Sequence, residues 1–233
     1  ENFSRVAEDV EDRERILDEL SVATELQKEI FPESVPKIDG IEIVAKNRPA
    51  TELGGDSYDF IESGDKVYIY VGDVTGHGVT AGLIMAMVNA MIDSFAGVYS
   101  SAKEILLHTN SHIKKYVKPS MYMTLVMLCW DKKTTYVGAG HEHILIYRKD
   151  TGEIDDVVSG GTALGMVEDT SKTLNEKEIT LNNGDMIILY SDGITEAKNG
   201  TGAMYGLDRL KENVQKFGLE YGAAGVNSHV SKD

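Results

Sequence analysis

The stretch Lys66-Val67-Tyr68-Ile69-Tyr70-Val71-Gly72-Asp73-Val74-Thr75-Gly76-His77-Gly78 decides the fold class. Its first six residues predict a strand, with Val67, Ile69 and Val71 on one face. The strand runs out onto an aspartate in a glycine-flanked turn. An apolar, Met- and Ala-rich stretch follows and predicts a helix over 79–97. A second helix is predicted over 101–117, with Ile105, Leu106, Ile113, Tyr116 and Val117 turned inward. Strand-like runs then follow at 121–130, 133–139, 143–148, 154–158, 173–181 and 185–190. Turn signals such as Thr151-Gly152 and Asn182-Asn183-Gly184-Asp185 separate them. Upstream, Ile41-Glu42-Ile43-Val44 opens an extended segment, and the tail from about 206 is helical again. Strands in series joined by short turns imply antiparallel sheets. Helices gathered in groups imply an α+β fold, with two packed sheets and helices outside.

Residues 1–31 read as one helix, rich in Glu, Arg, Leu and Ala and closed by Pro32 and Pro36. Ile16, Leu20, Ala23, Gln27 and Ile30 recur at a 4-3-4-3 spacing along one seam. That seam fits a helix lying on its own domain. It fits equally a coiled-coil linker to an upstream sensor domain or to a second protomer in a homodimer. The expected division is a linker helix over 1–34 and a catalytic domain over 35–233. The chain starts at Glu1 without a signal-like segment and is expected to be part of something longer.

The net charge is −15. A surface this acidic repels phosphate backbones and anionic lipid, so neither nucleic acid nor membrane insertion is expected. No apolar run approaches the roughly 20 residues of a membrane-spanning helix. The single Cys129 excludes a disulfide framework within the chain and fits a reducing, cytoplasmic setting. In its apolar run it reads as a small buried residue rather than a nucleophile.

Three segments carry chemistry: Gly54-Gly55-Asp56-Ser57-Tyr58-Asp59, Gly72-Asp73-Val74-Thr75-Gly76-His77-Gly78 and Tyr190-Ser191-Asp192-Gly193-Ile194-Thr195-Glu196. Each sets an aspartate at a strand end beside glycine, which permits tight turns and close approach to the backbone. Carboxylates and carbonyls at such turns are natural ligands for Mg²⁺ or Mn²⁺. Singly, each reads as a capped turn; three in one chain point to a shared site.

Together these motifs resemble the PPM family of metal-dependent protein phosphatases. The resemblance is strongest to the bacterial branch of the stage II sporulation phosphatase and the stress-response sigma-factor regulators. Tyr122-Met123-Thr124-Leu125, Ala139-Gly140-His141 and Ala163-Leu164-Gly165 fit that branch too, and the likeness spans roughly residues 19–230. It implies two antiparallel sheets sandwiched between helical layers, with a pair of Mn²⁺ or Mg²⁺ ions at one end. Asp56, Asp73 and Asp192, with the Val74 carbonyl, match the family's metal ligands. Glu196 matches an acidic residue near the metals, and Asp59 reads as a turn residue or one just outside the ligands. His77, four residues after Asp73 where eukaryotic relatives place a histidine two after, reads as a loop stabiliser or a general acid for the leaving oxygen. The implied reaction is attack of a metal-bridged hydroxide on a phosphoserine or phosphothreonine, without a covalent phosphoenzyme. The implied substrate is a phosphorylated anti-anti-sigma-type protein of a partner-switching pathway.

His141 reads as a structural turn residue, and His143 as sharing its face. One feature departs from the family pattern: no Asp-Asp-Ile-Thr-like strand precedes Asp233, so a fourth acidic ligand is expected to be lacking. The alternative is a catalytically weak or inactive regulatory module that keeps the fold.

Overall fold

The computed structural model describes residues 2–48, 53–131 and 133–230, excepting the side chains of 2–9, 219–221 and 229. Helix α1 (Asn2–Ile30) leads through an irregular segment to a hairpin of strands β1 (Ser57–Ser63) and β2 (Lys66–Val74). Helices α2 (Val79–Ala96) and α3 (Ala102–Ile113) follow. Six strands come next: β3 (Met123–Trp130), β4 (Thr134–Ala139), β5 (Ile144–Tyr147), β6 (Ile154–Val157), β7 (Glu176–Ile179) and β8 (Met186–Ile188). The short α4 (Asp192–Thr195) and the long α5 (Leu207–Val230) close the described chain.

All pairings are antiparallel. One sheet has the order β1-β2-β3-β4-β7 and the other β6-β5-β8. Alternation along each strand assigns its faces. Tyr68, Tyr70, Leu125, Met127 and Val137 turn toward α2 and α3, where Ile84, Met85, Val88, Ile105 and Leu106 complete one core. Ile69, Val126, Leu128 and Tyr136 turn the other way and meet Ile144 and Ile146 of the second sheet. On the far side, Leu145 and Tyr147 pack under Leu210 and Val214 of α5. The predicted α+β sandwich is therefore the observed one: helices, sheet, sheet, helix.

Several expectations change. Ile41–Val44 forms no paired strand beyond an isolated bridge between Ile38 and Ile41. Helix α3 stops at Ile113, so Tyr116 lies outside it and is 68% exposed rather than inward. β2 buries both its faces, with Tyr68 and Tyr70 the more deeply covered, because it is sandwiched rather than half-exposed. Helix α2 is, at 18 residues, long and apolar enough by composition to cross a membrane, contrary to the expectation from the sequence. Its Ala81, Ile84, Met85, Val88 and Ile92 instead cover the larger sheet. Among the described residues no strand follows β8; Asp233 lies outside them.

Candidate metal centre

Three turns deliver the three aspartates. Asp73 is the penultimate residue of β2 and pairs across the sheet with Thr124 of β3. The Gly54–Asp56 turn lies flat on the end of that strand, where the Val74 N–H donates to the Gly55 carbonyl at 3.2 Å. A Cβ on Gly55 would stand 2.5 Å from the Val74 carbonyl oxygen and 3.0 Å from an Asp73 carboxylate oxygen, so glycine alone permits the approach. Asp192 opens α4, and the hydroxyl of the preceding Ser191 donates to the Asp56 carboxylate. That carboxylate lies against Gly193, an oxygen of it standing 3.6 Å from where a Cβ would be.

The electrostatics agree with convergence. Burial, then the charges of Asp56 and Asp192, push the Asp73 carboxyl up to about 7, against the opposing hydrogen bond from the Val74 N–H. Burial chiefly, with Asp192 adding to it, also raises Asp56 despite the Ser191 bond. Such a set ionises readily only when a cation offsets its charge. Its donors are all hard oxygens, with the Val74 carbonyl close by, which suits Mg²⁺ or Mn²⁺. Among the described residues no three His, Cys, Asp or Glu side chains already stand in ligating geometry. Like charges repel, and carboxylates close up fully only around an ion.

Asp73 and Asp192 line a cavity of about 160 Å³ with Thr75, Tyr122, Thr124 and His141. The remaining sequence candidates fall elsewhere. Asp59 accepts the Phe60 N–H at 2.7 Å, and the charge acting on it is that of Asp93 on α2. His77 is exposed in its turn. Glu196 is exposed at the end of α4, its N–H donating to the Asp192 carbonyl at 2.7 Å. None of the three is among the charges acting on Asp73. His143 parts company with His141 and pairs with Asp156, which also takes Lys211 of α5.

Gln27, read from the sequence as a seam residue, and His141, read as a structural turn residue, both hydrogen-bond segments beside the three aspartates. Gln27 is only 8% exposed and embraces Gly54, donating to its carbonyl at 2.8 Å and accepting its N–H at 3.1 Å. Its polarity within an apolar seam was the available signal. Gly82 of α2 makes room for it: a Cβ there would stand 2.9 Å from the Gln27 amide nitrogen.

The chain matches the Stage II sporulation protein E (SpoIIE) family over residues 63–229. It belongs to this family. Phosphoserine phosphatase RsbU of Bacillus subtilis is 30% identical over 193 residues, which is 82% of this chain and 57% of RsbU. The chain thus spans little more than half of that relative. The SiaA-PP2C domain of Pseudomonas aeruginosa superposes with a TM-score of 0.74 at 20% identity, over 95% of this chain and 90% of that one. RsbX, crystallised with magnesium, superposes with a TM-score of 0.59 at 15% identity, over 80% of this chain and 83% of its own. At those identities the two structures show the fold, which this SpoIIE-family chain shares with PP2C-type domains.

Proposed function

We propose that this SpoIIE-family domain is a metal-dependent protein phosphatase that hydrolyses phosphoserine or phosphothreonine on a partner-switching protein. The observation that carries the reading is the meeting of Asp56, Asp73 and Asp192 at one end of the sandwich, with burial and like charge raising Asp73 to about 7. RsbU, the similar phosphoserine phosphatase, supports the reaction class, and RsbX with magnesium supports a divalent cation. Asp56, Asp73 and Asp192, with the Val74 carbonyl, would hold a pair of Mn²⁺ or Mg²⁺ ions. When bound, such ions supply an acidified water and neutralise charge on the phosphoryl oxygens.

The chain's own residues do the rest. Ser191 orients Asp56, and Gly55 lets the Val74 carbonyl and Asp73 share one small volume. Helix α1 would couple this site to a sensor or second protomer. Residues 10–19 of α1 are exposed, while Gln27 near its other end grips Gly54.

Asp73→Asn tests the proposal. It removes one charge and little volume, so the domain should stay folded while Mn²⁺-dependent hydrolysis of a phosphoserine peptide falls more than about 100-fold, beyond the usual loss for a residue one step removed from a metal. Near wild-type turnover would overturn the assignment. The second reading is a catalytically silent module: among the described residues no three His, Cys, Asp or Glu side chains stand in ligating geometry. An inactive wild-type domain that still fails to bind Mn²⁺ would establish it.

A further inference from the structure

We propose that His141 is a positioning residue, a clamp that fixes the Asp192 turn to the strand pair carrying Asp73 and thereby sets the carboxylate spacing that cation binding requires. This rests on the reading that Asp73 and Asp192 hold the ions.

The geometry is specific. His141 is 8% exposed and uses both ring nitrogens. Nδ1 lies 2.9 Å from the Thr124 hydroxyl, and Nε2 lies 3.1 Å from the Tyr190 carbonyl oxygen. Thr124 is the cross-strand partner of Asp73, and its hydroxyl also stands 3.3 Å from the Asp73 carbonyl. Tyr190 lies two residues before Asp192, just beyond the end of β8 in the other sheet. One imidazole therefore joins the two sheets at the point where each delivers a carboxylate.

The protons can be placed. A carbonyl only accepts, so Nε2 carries the hydrogen and donates to Tyr190. In the neutral ring Nδ1 then accepts, and the Thr124 hydroxyl donates to it. Burial holds the ring well below its ordinary value, at about 4, so it stays neutral. Both nitrogens are engaged, which leaves neither to exchange a proton with substrate even though the residue lines the cavity. The role is mechanical rather than acid–base.

The backbone beneath the ring is pinned as well. Gly140, at φ 70°, donates its N–H to the Gly160 carbonyl at 2.7 Å, and the Ser159 hydroxyl donates to the His141 carbonyl. A ring fixed at its root and at both nitrogens can hold two turns in register. A rotatable side chain hydrogen-bonded at one atom cannot.

Three variants separate clamp from filler. His141→Phe keeps the ring volume and removes both hydrogen bonds, His141→Ala removes everything, and His141→Gln retains a donor and an acceptor. Calorimetric titration with Mn²⁺ alone should show binding weakened about 10–100-fold in the Ala and Phe variants, the range for residues that orient metal ligands. Gln should recover most of it. Far-UV circular dichroism with chelator present should show all three folded. At saturating Mn²⁺ the phosphopeptide KM should stay at the wild-type value. Mn²⁺ binding within twofold of wild type in His141→Phe, or Gln no better than Phe, overturns the clamp. Asp73→Asn, titrated in parallel, locates a failure. If it loses Mn²⁺ while His141→Phe keeps it, the clamp alone is wrong. If Asp73→Asn itself binds normally, the metal reading fails and the clamp with it.

Discussion

The turn that carries Asp56 is held from outside the sandwich, by Gln27 of helix α1, whereas the turn that carries Asp192 is bonded from inside, by buried His141. The outer hold belongs to a helix whose residues 10–19 have no cover, including Ile16 at 53% and Leu17 at 51% exposure. Its two bonds reach the backbone of a single glycine. The inner hold is anchored by Thr124 within the five-stranded sheet. The Asp56 turn is thus tied to α1 through Gly54 and to the end of β2 through the Gly55 carbonyl, whereas the Asp192 turn is tied to the core through His141.

The largest expected effect on the outer half comes from Gly55→Ala. The added Cβ would stand 2.5 Å from the Val74 carbonyl oxygen and 3.1 Å from the Val74 nitrogen, so the turn must lift off β2. Turnover should fall by about 100-fold, the upper end for residues that place metal ligands. Wild-type Mn²⁺ binding in this variant would show that the turn need not lie flat, and the contrast between the two halves would lose its basis.

Gln27→Ala should act less on chemistry than on attachment. The half-buried N–H and carbonyl of Gly54 lose their partners, at about 1 kcal/mol. A lowered urea midpoint and faster proteolytic release of α1, with the domain otherwise intact, would sharpen the comparison. An unchanged midpoint would mean that α1 is held mainly by apolar contacts.

The smallest effect is a pH dependence of the metal-free protein. Asp73 is raised from 3.8 to about 7, so its protonated form is favoured in the folded state. The associated stability is fully present below about 3.8 and is lost as pH rises through about 7. His141, lowered from 6.5 to about 4, works in the opposite sense: its stability is present above about 6.5 and is lost as pH falls through about 4. The informative quantity is therefore the difference between wild type and Asp73→Asn. With chelator present, the variant should gain melting temperature relative to wild type as pH rises from about 4 to 8. A constant difference across that range would show that Asp73 is not crowded.

Much of the fold was legible because strands and helices write their periods locally. The alternation around Val67–Val71 and the turn at Asn182–Asp185 gave β2 and the approach to β8 within a few residues of their observed ends. Ile41–Val44 misled because an extended pattern needs a partner strand, and partners are not a local property. The three aspartates were legible for the same reason as the strands: each sits in its own short glycine motif. Glu196, Asp59 and His77 share those motifs, yet proximity in sequence did not bring their charges onto Asp73.

By itself, then, the sequence determined the order of elements, the α+β class and the three carboxylates on which the proposed chemistry depends. The tertiary structure alone decided which groups hold those carboxylates. Gln27 meets a residue 27 positions away, and His141 meets residues 17 and 49 positions away. The imidazole of His141 in Ala-Gly-His carries no sign of its partners in its neighbours along the chain. Only the closing of two sheets over one another excludes water there, and burial is what turns a polar side chain from a solvated group into a fixed strut.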